Sequence, residues 1–380
     1  MISPALPATL ALIALVAPQA ARGLITVPFV TATRAVPAQV AAPQDALPKT
    51  FDDSPVDAAE AQKPLPDDSV ASLDGQLVSF DAFHQYVGSV TARQPESDAA
   101  LRQLVLEAYM DARAAELDVT VAPGAVQKLW DDLEARARAA SGGTQGLIDS
   151  IGGEEQLPRL ERALNLAALQ REIVAAEAGI TTDDVSEQRL AAWIAQTVEA
   201  APISETPLTS PTAATWPGGE ISRIALGRRL ADELPADQLQ GLLTELLGIL
   251  AIEERATREG VAFTSEAAAE ELVERKRLVE NNPRAVGVSY EAIVREIDKR
   301  SLEELVATPK FRAEVLLKLL VAQEWDDARL TDLFERERAS FEERAGRSVT
   351  FEEAKASVQA VVRQRSYQSL LASSSIQRRF

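Results

Sequence analysis

The 380-residue chain contains no cysteine and a single histidine, His84. Without cysteine there are no disulfides, no thiolate metal ligands and no thiol nucleophile. One histidine cannot form a His–His metal pair, and a Ser–His–acid triad would have to be built on His84 alone. Aromatic residues make up only 5% of the chain, and Lys and Arg are outnumbered by Asp and Glu, 39 to 58. The resulting formal charge of −19 repels phosphate backbones and anionic lipid heads, so nucleic acid is not an expected partner. No apolar run beyond the N-terminus approaches the roughly 20 residues of a membrane span.

What remains is a helix-forming palette. Ala, Leu, Glu, Arg and Gln recur throughout, and the 46% apolar fraction is enough for a real core. Leu6 to Ala17 is an apolar stretch with the length of a signal-peptide core, so residues 1–21 are expected to direct export or to anchor the chain. Two features depart from the usual signal pattern: no Lys or Arg precedes the run, and Pro18-Gln19-Ala20 replaces A-x-A. Without cysteine there is no lipoprotein anchor, and membrane contact is expected only through residues 1–21 if they are retained. Residues 22–68 carry prolines at 28, 37, 43, 48, 55, 64 and 66, a density that predicts an extended tether.

Folded sequence is expected from about residue 69. A short strand and turn at about 70–78 surround Asp74-Gly75, and Ser79 is placed to cap a helix bearing Phe80, Phe83, Val87 and Val90 on one face. Further helices are predicted over about 98–117, from Pro123 with Val126, Leu129, Trp130 and Leu133 inward, around Leu147, Ile148 and Ile151, over 154–178, and from Thr182 with Trp193 and Ile194. Four prolines mark residues 201–219 as a second linker. Helical periodicity returns over 239–259, 265–280, 289–299, 309–325, 329–344 and 350–371, the last opened by the capping box Thr350-Phe351-Glu352-Glu353. The fold class is therefore all-α: a helical domain over 69–200, and a second module over 220–380 ending in a C-terminal helix.

The two modules are related. A shift of 142 residues lays Leu101, Leu104, Val105 and Ala108 on Leu243, Leu246, Leu247 and Leu250, and Arg113, Ala114 and Val119 on Arg255, Ala256 and Val261. An internal duplication accounts for this.

The run Val70-Ala-Ser-Leu-Asp-Gly-Gln-Leu-Val-Ser-Phe-Asp-Ala-Phe83 resembles the opening of SurA-like chaperones and parvulin-type isomerases. Leu101 to Val105 and Ala112 to Val121 are similar to that family's second helix and its step into the third. Asp118 stands in the usual glycine place there, and Gly260 restores glycine in the second module. Ser348 to Lys355 resembles the start of the family's C-terminal helix, which packs back on the N-terminal module. The family's isomerase domain uses a histidine pair, and this chain has neither the pair nor room for the domain. The resemblance thus implies the chaperone part alone: an ATP-independent, extracytoplasmic holder of unfolded or nascent envelope proteins in an apolar groove, without enzyme activity. Two alternatives stand beside it, an envelope scaffold for one folded partner and a degenerate prolyl isomerase.

No catalytic, cofactor-binding or metal-binding residue stands out, and no cofactor is expected. His84 reads as a half-exposed surface residue. The Gly-Gly pairs at 142–143, 152–153 and 218–219 fit no phosphate loop and read as helix terminators. The pairs Asp131-Asp132, Glu253-Glu254, Glu270-Glu271 and Glu342-Glu343 lie among Arg and Lys at helical spacing and read as solvated faces. Ser141 and Ser373 to Ser375 lack a nucleophile-elbow context. Trp130, Trp193 and Trp325 are expected in cores. Trp216, ahead of Pro217-Gly218, is expected to pin the linker to a domain.

Overall fold

The computed structural model describes residues 64–379, apart from 141–144, 147, 149–152, 155–156, 200–201 and 281–286. The expected leader (1–21) and nearly all of the expected tether lie outside the described residues, as do Leu147, Ile151 and the glycines 142, 143 and 152. The structure is 72% helical, with 13 helices and two small antiparallel sheets among the described residues, which makes it all-α. No helix among them is long and apolar enough to cross a membrane.

The first hairpin pairs β1 (Ser69–Leu73) with β2 (Gln76–Ser79) around Asp74 and Gly75, whose φ angles are 48° and 82°. Ser79 then caps α1 (Phe80–Val90), its hydroxyl accepting from the Ala82 amide at 3.1 Å. α2 (Pro95–Leu117), α3 (Ala125–Ala140) and α4 (Leu157–Ala178) follow. Thr182–Asp184 is a single 3₁₀ turn rather than a helix start. The helix that carries Trp193, α5 (Glu187–Ile194), begins after it.

The stretch expected to be a linker is ordered instead. It contains β3 (Ser204–Glu205), β4 (Thr212–Trp216) and the start of β5 (Gly219–Ser222), paired in the order β3-β4-β5. Its prolines occupy the connections, where they cost no ladder bond, which is why proline density misled. Ser222 caps α6 (Arg223–Glu233), which leads to α7 (Ala236–Arg258), α8 (Ser265–Glu280), α9 (Tyr290–Ile293), α10 (Leu302–Val306), α11 (Pro309–Glu324), α12 (Asp327–Ala345) and α13 (Phe351–Ser373). A last strand, β6 (Ile376–Arg378), pairs with β1.

The two parts of the chain repeat one local backbone pattern. Each copy has a hairpin with the same register and the same bulge, between Ser69 and Ala71 in one and Thr212 and Ala214 in the other. Each continues with a serine-capped helix of 11 residues, then helices of 23 and 16. The 142-residue offset holds at the end of the 23-residue helices. There Asp118 (φ 53°) and Gly260 (φ 70°) both turn left-handed, and the Val119 and Val261 amides reach back to Ala114 and Ala256 at 2.9 and 2.8 Å.

The domain boundary differs from the sequence expectation. The chain divides into one unit containing Ala114–Trp193 and another containing Ala59–Arg113 with Ile194–Phe380. The first hairpin and α1 thus belong with the second module. The physical reason is the packing of α1 on α6. A Cβ on Gly227 would overlap the His84 carbonyl, and one on Gly88 would overlap the Arg223 carbonyl, so only glycine admits this approach. One apolar core then runs through both hairpins and α7, from Val70, Phe83 and Val87 to Leu226, Leu230, Leu243 and Leu247.

α13 packs on α7, α11 and α12. The segment after it returns to the first hairpin, so the chain's end does come back to its beginning, by way of a strand. Within the unit Ala114–Trp193, Leu133 of α3 meets Leu160 and Leu164 of α4, flanked by Trp130.

Candidate functional site

The residues with catalytic potential are dispersed or engaged in structure. His84 lies on α1 at the α1/α6 crossing, between the rings of Phe80 (5.9 Å) and Phe83 (6.2 Å). Its Nδ1 is buried without a hydrogen-bond partner among the described residues. Burial, reinforced by the Arg228 guanidinium, pulls its pKa below the ordinary histidine value. His84 is therefore half-buried, as expected, with one ring face in the helix crossing.

Three of the four carboxylate pairs are surface features. Asp131 accepts from Gln127 at 2.8 Å, Glu253 pairs with Arg312 at 3.3 Å, and Glu342 accepts from Ser348 at 2.7 Å. The exception is Glu271, which is buried. It holds Arg275 at 2.8 Å and Lys318 at 2.9 Å. Burial opposes its charge, yet these two cations keep its pKa below the usual carboxylate range. Lys318 also reaches Glu274 and Arg275 reaches Glu314, so the group is an ion-pair ladder tying α8 to α11.

The glycines and tryptophans settle into structural places. Pro217 and Gly218 form the turn of the second hairpin and Gly219 opens β5, so this glycine pair ends no helix. Gly218 lies under the Trp216 ring, where any Cβ would overlap it. Trp216 closes β4 and meets Tyr109 at 6.2 Å, so it does act as a pin, within a hairpin. Trp130 and Trp325 flank apolar clusters, and Trp193 is buried, its indole N–H donating to Glu177 at 2.9 Å. Ser373 and Ser374 turn their hydroxyls to the Leu370 carbonyl, each at 2.9 Å. Ser141 lies outside the described residues.

No group of three or more His, Cys, Asp or Glu side chains among the described residues could hold a metal ion. Neither a protein-family model, a curated protein nor a solved structure matches the sequence.

The residues that sequence reasoning missed are arginines. Arg223 is fully buried at the start of α6. Its guanidinium donates to the carbonyls of Ser210 (2.9 Å), Pro207 (3.1 Å), Thr212 (3.1 Å) and Gly88 (3.3 Å). It therefore clips the loop before β4 and the last turn of α1 at once. Arg93 makes a two-pronged contact with Glu304, Arg229 pairs with Glu107, and Arg300 donates to the Ser89 and Val90 carbonyls at 3.0 and 2.9 Å. A single arginine in sequence gives no sign of such partners, because they are backbone carbonyls or lie more than a hundred residues away.

Leu77, Val273, Leu278, Val288 and Ile297 are large apolar residues left exposed. Four of them lie between residues 273 and 297, on α8 and on the segment beside it, where Lys276 of α8 reaches Glu291 of α9 at 3.4 Å. Leu77 lies on β2, an edge strand of the first sheet.

Proposed function

We propose that this protein is an exported, ATP-independent holder of unfolded or nascent envelope proteins. The observation that carries the reading is the pairing of exposed large apolar side chains with a strongly acidic body. Apolar points at Leu77, Val273, Leu278, Val288 and Ile297 can bind many extended sequences weakly. A charge of −19 keeps such a surface soluble. The resemblance of the opening hairpin and helix to SurA-like chaperones supports the same reading, as does the apolar stretch at residues 6–17. The reading assigns the chain no catalytic step.

Light scattering of an unfolded porin diluted from urea tests it. Suppression of aggregation at an equal molar ratio is the expected result. Unchanged scattering, combined with tight capture of one folded envelope protein, would favour the scaffold alternative instead.

A further inference from the structure

The two copies of the hairpin differ in the origin of the third strand. In the second copy β3, which precedes the hairpin by a few residues, lies along β4 and pairs Glu205 with Ala214 and Ser204 with Thr215. In the first copy the matching place along β1 is taken by β6, from the chain's far end, with Arg378 on Ala71 and Gln377 on Ser72.

The correspondence continues beyond the strands. The Arg379 amide donates to the Val70 carbonyl at 3.0 Å, as the Thr206 amide does to Ala213 at 3.1 Å. The Phe80 amide reaches the Asp68 carbonyl at 3.0 Å, as the Arg223 amide reaches Pro211 at 2.7 Å. In both copies a guanidinium holds the loop ahead of the hairpin. In the second copy it belongs to Arg223, from the helix start. In the first that position is Phe80, and Arg379 supplies the cation from the C-terminus, 5.6 Å over the Phe80 ring. It donates to the carbonyls of Leu65 (3.2 Å) and Pro66 (2.6 Å) and lies 3.6 Å from Asp67.

A borrowed strand is held differently from a built-in one. β6 is three residues long and forms the outer edge of its sheet. Gln377, Arg378 and the following Arg379 line a shallow depression with Pro64 and Leu65. The place β6 fills is acidic: Asp67 faces Arg379, and the Asp74 carboxylate accepts from the Ser375 amide at 2.6 Å. Ile376, packed against the apolar core, is its one apolar anchor.

We propose that the slot along β1 is a strand-acceptor site for extended basic-apolar peptide segments, and that β6 is its built-in stand-in. This inference rests on the holding function and names where and what it holds. The occupant adds a strand through main-chain hydrogen bonds to β1. It places an apolar side chain where Ile376 lies, and a cation three residues on, where Arg379 meets the Leu65 and Pro66 carbonyls. The chain's net negative charge steers such segments towards it.

The test uses the full chain, which has no cysteine of its own. Ala71→Cys with Arg378→Cys places two thiols at directly opposed positions of the β1–β6 pair, and oxidation locks the strand in place. The probe is a labelled peptide with the sequence of residues 374–380, read by fluorescence anisotropy, beside a control peptide with both arginines replaced by glutamate. The reduced protein should bind the probe at least about tenfold more tightly than the oxidised one, because the tethered strand no longer holds the slot permanently. It should discriminate against the control peptide. Equal binding in the two redox states, or equal binding of the two peptides, overturns the proposal. Arg379→Glu in the otherwise natural chain gives a second reading: it loosens β6 and should tighten probe binding, and unchanged or weaker binding counts against the slot. Porin scattering in both redox states separates the two levels. Suppression that is the same in both removes only the slot, whereas none in either removes the holding function itself.

Discussion

At the scale of single residues, side-chain volume at the helix crossing decides the most. Gly227 and Gly88 leave no space for a methyl group, so Gly227→Ala should force α1 and α6 apart and cost about 3 kcal/mol in urea unfolding. Gly241, in α7, has open space around it. Gly241→Ala should therefore stabilise by about 0.5–1 kcal/mol, since only the helix preference changes. If both substitutions had the same sign, the crossing would not be as tight as described. His84 adds a pH dependence. Its folded-state pKa lies below the ordinary 6.5, so the folded chain prefers the neutral ring. Stability is complete above about pH 6.5 and is lost as pH falls below it, where the unfolded chain takes up the proton first. His84→Asn should flatten that part of a stability-against-pH curve. A curve that kept its slope would place the titrating group elsewhere.

At the scale of elements, the two hairpin–helix copies can be set against each other. Both 23-residue helices end on a left-handed residue, Asp118 in one and Gly260 in the other. Asp118→Gly should stabilise by about 0.5–1 kcal/mol, and Gly260→Asp should cost about as much, both measured by thermal unfolding. Arg223 is the element-scale residue with most to lose. Arg223→Met removes one donor from each of four backbone carbonyls, of which Pro207 keeps the Ser210 amide and Thr212 the Thr206 hydroxyl, and should destabilise by about 3 kcal/mol. It should also raise hydrogen exchange in the loop ahead of β4, and exchange confined to α6 would contradict the clip.

Sequence made these elements readable to different degrees, for physical reasons. Local signals were reliable: Ser79, Thr308 and the Thr350–Glu353 box each cap the helix expected of them. The Asp74-Gly75 turn followed from backbone preference, whereas the shared position of Asp118 and Gly260 came from the resemblance, and the structure adds that both are left-handed. Residues 201–219 were misjudged because prolines in the connections of a small sheet look like prolines in a linker. Asp183 and Asp184 resembled a helix start, but they sit in a 3₁₀ turn whose chain re-enters a helix only after Ser186.

At the scale of the whole molecule, the division into units could not be seen in sequence. It depends on two glycines that let α1 and α6 meet, and neither glycine has a local signature for that role. The return of β6 to β1 joins residues some three hundred positions apart, and three residues at a chain end carry too little pattern to announce a strand. Among the carboxylate pairs, only contact with α11 distinguishes buried Glu271 from its solvated neighbour Glu270. Val273 and Leu278 lie outside the ion-pair ladder that faces α8 towards α11, and both are exposed.

The central claim is that this protein holds polypeptide because it is unfolded, and that no particular folded partner is required. The most direct measurement is co-sedimentation of the full chain with one envelope protein in two forms, native and permanently unfolded in dilute denaturant. The account predicts complex formation with the unfolded form and none with the native one. Binding to the native form alone, or to neither, would contradict it.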